Sequence, residues 1–180
     1  GGMNPFDLSN KVICVTGASS GIGRQCAVSC SRMGATVVLL ARNEQRLHET
    51  LSIMDNPDKH VIIPVDLTEY ATVELVVKNI VSQVGRISGV LHCAGISTTL
   101  PLKLVTPEKL DEFFQANVFS AYNLTREVCK MGNFSKEGGS IVFFSSVMGK
   151  VGENGKSLYG MTKGALVSGT RSLACELAKK

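Results

Sequence analysis

Val12-Ile13-Cys14-Val15-Thr16-Gly17-Ala18-Ser19-Ser20-Gly21-Ile22-Gly23 runs from a short apolar stretch straight into a turn with three glycines. A continuous apolar run of this length reads as a strand buried on both faces. Gly17 permits the tight turn out of the strand, and Gly21 lets backbone approach a ligand so closely that a Cβ there would collide with it. Gly23 lets the helix that follows pack near the sheet. The start of that helix offers unpaired N–H groups and a partial positive charge to phosphates. Three glycines are costly in chain entropy unless something must come close, which disfavours a turn without a ligand. The turn, including Ser19, Ser20 and Ile22, is therefore expected to hold the pyrophosphate of a dinucleotide.

Outward from this turn, strands and helices alternate. After the turn, Ile22, Cys26, Cys30 and Met33 recur at helical spacing and are expected to face the core, with Gly34 closing the helix. Val37–Ala41 reads as the second strand. Asn43 can cap a helix that carries Leu47, Leu51 and Met54 on one side. Val61–Val65 is the third strand. Thr68 is expected to cap a helix with Val73, Val76, Val77, Ile80 and Val84 inward, ended by Gly85. Ile87–Cys93 is the fourth strand. Thr106-Pro107-Glu108 combines a cap, a proline at the first helical position and an acid against the dipole. The helix it opens is expected to reach about Met131. Ile141–Ser145 is the fifth strand, and a last helix runs from about Tyr159 to Ala178. Strands alternating with helices build a parallel sheet through right-handed crossovers. The expected fold is a doubly wound, Rossmann-type α/β sheet in one domain, residues 6–180, after a short arm in which Gly1-Gly2 reads as a cloning scar.

Composition removes other classes. Apolar residues are 44% and charged residues 19% of the 180, which is globular rather than disordered usage. A net charge of +4 with the two signs interspersed, no Trp and 6% aromatics argue against a nucleic acid partner. No apolar run approaches the ~18 residues of a membrane span, and residues 1–5 lack the regions of a signal peptide. Six cysteines (14, 26, 30, 93, 129, 175) form no Cys-x-x-Cys pair. They are expected to be reduced and mostly buried, in a cytoplasmic protein. His48, His60 and His92 share no metal-ligand spacing, so no metal site is expected.

The glycine spacing is Thr-Gly-x-x-x-Gly-x-Gly, followed in order by Asp66-Leu67, Cys93-Ala94-Gly95, Asn117, Ser146 and Tyr159-x-x-x-Lys163. In these motifs, over about Phe6 to Lys180, the chain resembles the short-chain dehydrogenase/reductase family, with the look of members that reduce the β-keto group of acyl-carrier-protein thioesters. The resemblance implies that Asp66 contacts the adenine amino group, where an alternative is that Asp66 caps the next helix. It implies that Ala94 and Gly95 bring backbone up to the cofactor. Where the family usually carries Asn-Asn-Ala-Gly, this chain has His92-Cys93-Ala94-Gly95, so the amides that brace that turn are absent. The end of the second strand chooses the cofactor. An acid there would accept a bond from the ribose 2′-OH. Here Ala41 is followed by Arg42, whose planar fork can pair with a 2′-phosphate, so NADP(H) is expected over NAD(H).

Tyr159 and Lys163 are four apart and project from one helix face. A carbonyl that accepts hydride needs a proton at its oxygen, and a free phenol with a pKa of ~10 is too weak an acid/base at neutral pH. The ammonium of Lys163 favours phenolate and lowers that pKa, which makes Tyr159 the expected general acid for reduction and base for oxidation. The resemblance adds a bond from Lys163 to the nicotinamide ribose, so both residues also count as cofactor-binding. Ser146 lies 13 residues before Tyr159, a spacing by which the resemblance favours it over Ser145 as the hydroxyl that hydrogen-bonds the substrate carbonyl. Ser145 faces the other way if the strand continues. Asn117 is a polar amide among Phe113, Phe114, Val118 and Phe119. The resemblance implies that it distorts its helix and holds a water that relays protons to Lys163.

Family members continue past the last helix with a sixth strand, a substrate-covering segment and a seventh strand. The chain therefore reads as a domain lacking its last strands, with the fifth strand an exposed edge. The resemblance also implies a homodimer or homotetramer built through the last two helices, and a small-molecule or acyl-carrier-linked carbonyl substrate. The competing reading is a sensor or scaffold protein that binds NADP(H) without turnover. A weaker one is a sugar-nucleotide-modifying relative on the same fold.

Overall fold

The computed structural model describes residues 7–95, 102–137 and 139–143. Its strands β1 (Val12–Thr16), β2 (Thr36–Ala41), β3 (Val61–Pro64), β4 (Gly89–His92) and β5 (Ser140–Phe143) form one sheet in the order β3-β2-β1-β4-β5. Every pairing is parallel, with Thr16 opposite Leu40 on one side and His92 on the other. The helices are α1 (Gly21–Arg32), α2 (Glu44–Ser52), α3 (Tyr70–Val84), α4 (Pro107–Phe114) and α5 (Ser120–Val128). Among the described residues no helix is long and apolar enough to cross a membrane.

Successive strand residues point to opposite faces, so the apolar runs fill two cores. Ile13, Val15, Val37 and Leu39 pack with Ala27 and Val28 of α1 and Leu47 of α2. Val12, Cys14, Val38 and Leu40 pack on the other face with Val73, Val77 and Ile80 of α3 and Leu124 and Val128 of α5. The doubly wound architecture read from the alternation is the one observed. Asn43 caps α2 by accepting from the Arg46 N–H at 3.0 Å, and Thr106 caps α4 by accepting from the Lys109 N–H at 3.2 Å.

Several expectations are corrected. Ile22 is 61% exposed, and the face of α1 turned to the core carries Gly23, Ala27, Val28, Cys30 and Ser31. Small residues win that face because α1 must lie close to the sheet. Of the expected stripe, Cys30 lies in that core and Cys26 packs against it, while Ile22 and Met33 line, with Cys26, an apolar groove beside Leu91. Thr68 does not cap α3, which starts at Tyr70; its N–H and hydroxyl both bond Asp66 Oδ1, at 3.0 and 2.6 Å. The fourth strand is shorter than expected, because Ile87 bridges Phe134 and Cys93 has left the ladder. The helix from Thr106 ends at Val128 and changes pitch midway. Of the described cysteines, Cys14 and Cys30 are buried, and burial pushes their thiols up to about 12 and about 11. Cys26, Cys93 and Cys129 are only partly buried, fewer than expected. The expected last helix lies outside the described residues.

His60 extends the sheet with its side chain. Nδ1 accepts the Val37 N–H at 3.0 Å, and Nε2 donates to the Asp55 carbonyl at 2.7 Å. A ring nitrogen that accepts a backbone N–H is unprotonated, so the imidazole is neutral here. Burial pushes its pKa below the ordinary 6.5, against a smaller upward pull from the Asp55 bond. The unfolded chain then binds this proton at higher pH than the folded chain, so stability rises with pH across the window between the two pKa values. Acidification through 6.5 is expected to lower stability through His60, levelling off once the pH is below the folded pKa. Urea unfolding of wild type and His60→Gln at pH 7.5 and 5.5 checks this. The variant should show less of the drop; an identical drop in both would exclude His60 as its source.

Candidate active site

Chain order reverses at β1. The chain steps outward from β1 to β2 and β3, then returns to place β4 on the other flank. In open α/β sheets, ligands bind at the carboxyl edge of such a reversal, where the two flanking connections diverge. A cleft of about 920 Å³ opens at that edge, between the ends of β1 and β4. Each expected cofactor residue among Gly17, Ser19, Ser20, Gly21, Ile22, Gly23, Arg42, Asp66, Leu67, Ala94 and Gly95 lines it. Glu108, Asp111 and Gln115 of the fourth and π-shaped helical stretch form a wall that sequence reading did not foresee.

The glycines divide their work differently from the simple expectation. Gly17 has φ +62°, and a Cβ there would lie 2.8–2.9 Å from backbone atoms of Cys93 and Ala94. It therefore serves the approach of β1 to the turn after β4 as well as the tight bend. A Cβ on Gly23 would run into the Gly17 carbonyl, so Gly23 packs on the turn itself rather than on the sheet. Gly21 has φ +52°, and a Cβ there would meet no described atom within 4 Å. The collision foreseen at Gly21 is with a ligand, and the space beside it is open to one.

The start of α1 suits a phosphate. Its first intrahelical bond runs from the Arg24 N–H to the Ser20 carbonyl, which leaves the N–H groups before Arg24 without helical partners. Ser20 makes no side-chain cap bond, and the first turn holds no acid. An open, positive helix end facing a cleft is a natural anion cradle. The cradle and the open space above Gly21 fit the pyrophosphate of a dinucleotide.

Distant residues hold the turn in shape. Thr16 Oγ1 accepts the N–H groups of both Cys93 and Ala94 at 3.0 Å. That hydroxyl braces the loop where the amides are missing. His92 adds a buried bond from Nε2 to Thr125 Oγ1 at 2.8 Å, which ties β4 to α5. On the other side, Thr50 Oγ1 donates to the Ala18 carbonyl at 2.7 Å. Arg24 then bonds Thr50 Oγ1, the Ser19 carbonyl at 2.6 Å and Glu49 at 3.3 Å. These contacts draw the loop carbonyls toward α2. No local sequence signal marks Thr50, because its partner lies 32 residues away.

Asp66 sits at the cleft with Oδ1 committed to Thr68. The hydroxyl bond, the backbone bond and, more weakly, the Arg42 charge hold its carboxyl below the ordinary carboxylate range. Asn117 is fully buried in a π-helical segment, Gln115–Phe119, between α4 and α5. The Ser120 N–H reaches back to the Gln115 carbonyl, the i→i−5 bond that adds a residue to the turn. Such bulges recur at functional sites. Ser146, Tyr159 and Lys163 lie outside the described residues; Ser146 follows the end of β5 by three residues. Among the described residues no group of acids, histidines and cysteines could hold a metal ion.

Comparison with known proteins agrees with this geometry. The family profile described as short chain dehydrogenase matches residues 11–180. An oxidoreductase of Staphylococcus epidermidis is 31% identical over 172 residues, 96% of this chain and 74% of that protein. The 3-oxoacyl-[acyl-carrier-protein] reductase of Escherichia coli is 28% identical over 175 residues, covering 97% of this chain and 70% of its own length. A short chain dehydrogenase of Shigella flexneri, solved in complex with NADP, superposes with a TM-score of 0.84 at 32% identity, over 94% of this chain and 72% of that one. A cleft at the strand-order reversal, an open helix end above three glycines and a match over nearly the whole chain lead to one conclusion: the chain belongs to the short-chain dehydrogenase family and is an oxidoreductase of the nicotinamide-dependent kind.

Proposed function

We propose that this oxidoreductase uses NADP(H) and interconverts a carbonyl and an alcohol, with a 3-oxoacyl thioester as the favoured substrate class. The observation that carries the cofactor choice is the end of β2. Ala41 stands where a ribose-binding acid would, and Arg42 lines the cleft beside it with no hydrogen-bond or ion-pair partner among the described residues. The NADP in the Shigella flexneri relative and the name of the Escherichia coli relative support the cofactor and the substrate class respectively. The names of the relatives offer nothing for a non-catalytic sensor or scaffold.

The open start of α1 would hold the pyrophosphate, Arg42 the 2′-phosphate, and Asp66 with Leu67 the adenine side. When bound, the nicotinamide supplies or takes up a hydride. Tyr159 Oη would give a proton to the carbonyl oxygen during reduction and take it back during oxidation, with the Lys163 ammonium keeping the phenol acidic enough. Ser146 would orient the carbonyl by a hydrogen bond to its oxygen. Asn117, through the π turn, would connect Lys163 to solvent protons. A homodimer or homotetramer is part of the same proposal.

The test is NADPH and NADH oxidation by the full chain against a panel of carbonyls that includes 3-oxoacyl thioesters, repeated with Ala41→Asp/Arg42→Ala. A charge-assisted bond to phosphate is worth ~1.5–3 kcal/mol, so the variant should shift the NADPH-to-NADH ratio of kcat/KM by at least about 10- to 100-fold toward NADH. An unchanged ratio would sink the cofactor assignment; NADPH oxidation with ketones but no thioester would overturn the substrate class alone.

A further inference from the structure

Arg42 is not alone at its end of the cleft. Arg46 lines the same cleft, one helical turn into α2. The Asn43 cap bond to the Arg46 N–H holds the two arginines at one helix end. This placement is unfavourable for a free helix, since the positive end of the dipole prefers acids and like charges near one another repel. Two acids stand on the helix near them: Glu44 in the first turn, 3.9 Å from His48, and Glu49, three residues on from Arg46 and its neighbour on the helix surface. Glu49 pairs instead with Arg24 at 3.3 Å, and that same guanidinium is also engaged by Thr50 and the Ser19 carbonyl. Among the described residues the Arg42 and Arg46 guanidiniums have no acid partner, whereas Arg24 has several partners. Across the cleft, Asp66 feels the Arg42 charge but forms no ion pair with it, its Oδ1 being committed to Thr68. Two unneutralised forks, always charged, at the mouth of one cleft and at one helix start make a site for a dianion.

Resting on the NADP(H) reading above, we infer that Arg46 is a second specificity-determining residue and that it binds the cofactor's 2′-phosphate together with Arg42. Arg24 acts as a positioning residue by keeping Glu49 away from Arg46. Discrimination against a cofactor with a free 2′-hydroxyl is then shared between two side chains, one in the strand-end motif and one inside α2.

Calorimetric titration of the full chain with adenosine 2′,5′-bisphosphate and with 5′-AMP, which lacks only the 2′-phosphate, tests this without any turnover. Wild type should bind the 2′-phosphorylated ligand more tightly. Arg46→Gln should weaken that ligand about tenfold, leave 5′-AMP within about twofold, and flatten the salt dependence of binding to the 2′-phosphorylated ligand. Its unfolding midpoint should stay near wild type, because the side chain is exposed. If wild type does not distinguish the two ligands, the NADP(H) reading fails and this inference with it. If wild type distinguishes them and Arg46→Gln keeps the same ratio, Arg42 suffices and this inference alone is overturned. Equal weakening of both ligands overturns it too, since Arg46 would then act on the shared part of the nucleotide or on the helix.

Discussion

Tyr159→Phe is expected to leave a chain that binds NADPH normally and turns over a carbonyl substrate about 10²–10⁴-fold more slowly, the usual contribution of a positioned general acid. The substitution keeps the ring and removes only the oxygen proposed to carry the proton. Ground-state binding of the cofactor has no need of that proton, so the loss should fall on kcat and not on the cofactor Kd. Wild-type activity should rise and fall with an ionisation below the ordinary phenol pKa of ~10, because the Lys163 ammonium favours phenolate. NADPH binding by fluorescence, with kcat measured across pH, checks both parts. Normal turnover by the variant would remove Tyr159 from the chemistry.

The second large effect separates two glycines that look equivalent in the motif. Gly23→Ala should destabilise the fold by ~3 kcal/mol and abolish measurable cofactor binding. Its methyl would meet the Gly17 carbonyl and would lie 3.1 Å from the Ala18 nitrogen, all backbone atoms of the turn. Overpacking against atoms that cannot rotate away is relieved only by moving the backbone. Gly21→Ala should cost the free protein only ~1–2 kcal/mol, the penalty of a left-handed backbone at φ +52°. Its methyl enters open space, so the larger loss should appear in cofactor affinity. Denaturant unfolding and NADPH titration of both variants check the contrast. A Gly21→Ala chain that binds normally would mean that no ligand approaches the turn there, and a Gly23→Ala chain as stable as wild type would contradict the packing of α1 on Gly17.

The same split between local and distant causes runs through the whole molecule. Strand and helix order, the caps at Asn43 and Thr106 and the parallel sheet were legible because each depends on neighbours within a few residues. The run Val12–Val15 is apolar on both faces, and only burial on both faces makes that pattern worthwhile. The glycine turn was legible for a related reason: left-handed backbone and close approach both demand glycine, whatever the rest of the chain does.

Other features depend on which elements meet. Ile22, Cys26, Cys30 and Met33 form one regular helical stripe, yet the close seat of α1 on the sheet buries Cys30 with the small residues Gly23 and Ala27 and leaves Ile22 exposed. Thr68 was read as a cap, but its hydroxyl and N–H turn back to Asp66, which still lines the cleft. The brace from Thr16 to Cys93 and Ala94 spans 77 and 78 residues, and Arg24 reaches Thr50 across 26. Arg46 resembles any exposed helical arginine until Glu49 is seen to be engaged elsewhere. The amino-acid order alone therefore determined the fold and the shape of the glycine turn, since those follow from local backbone demands and burial periodicity. The facing of α1, the bracing of the cleft and the pairing of charges around it were decided by the tertiary structure, because a hydrogen bond or an ion pair belongs to whichever group folding brings within reach first.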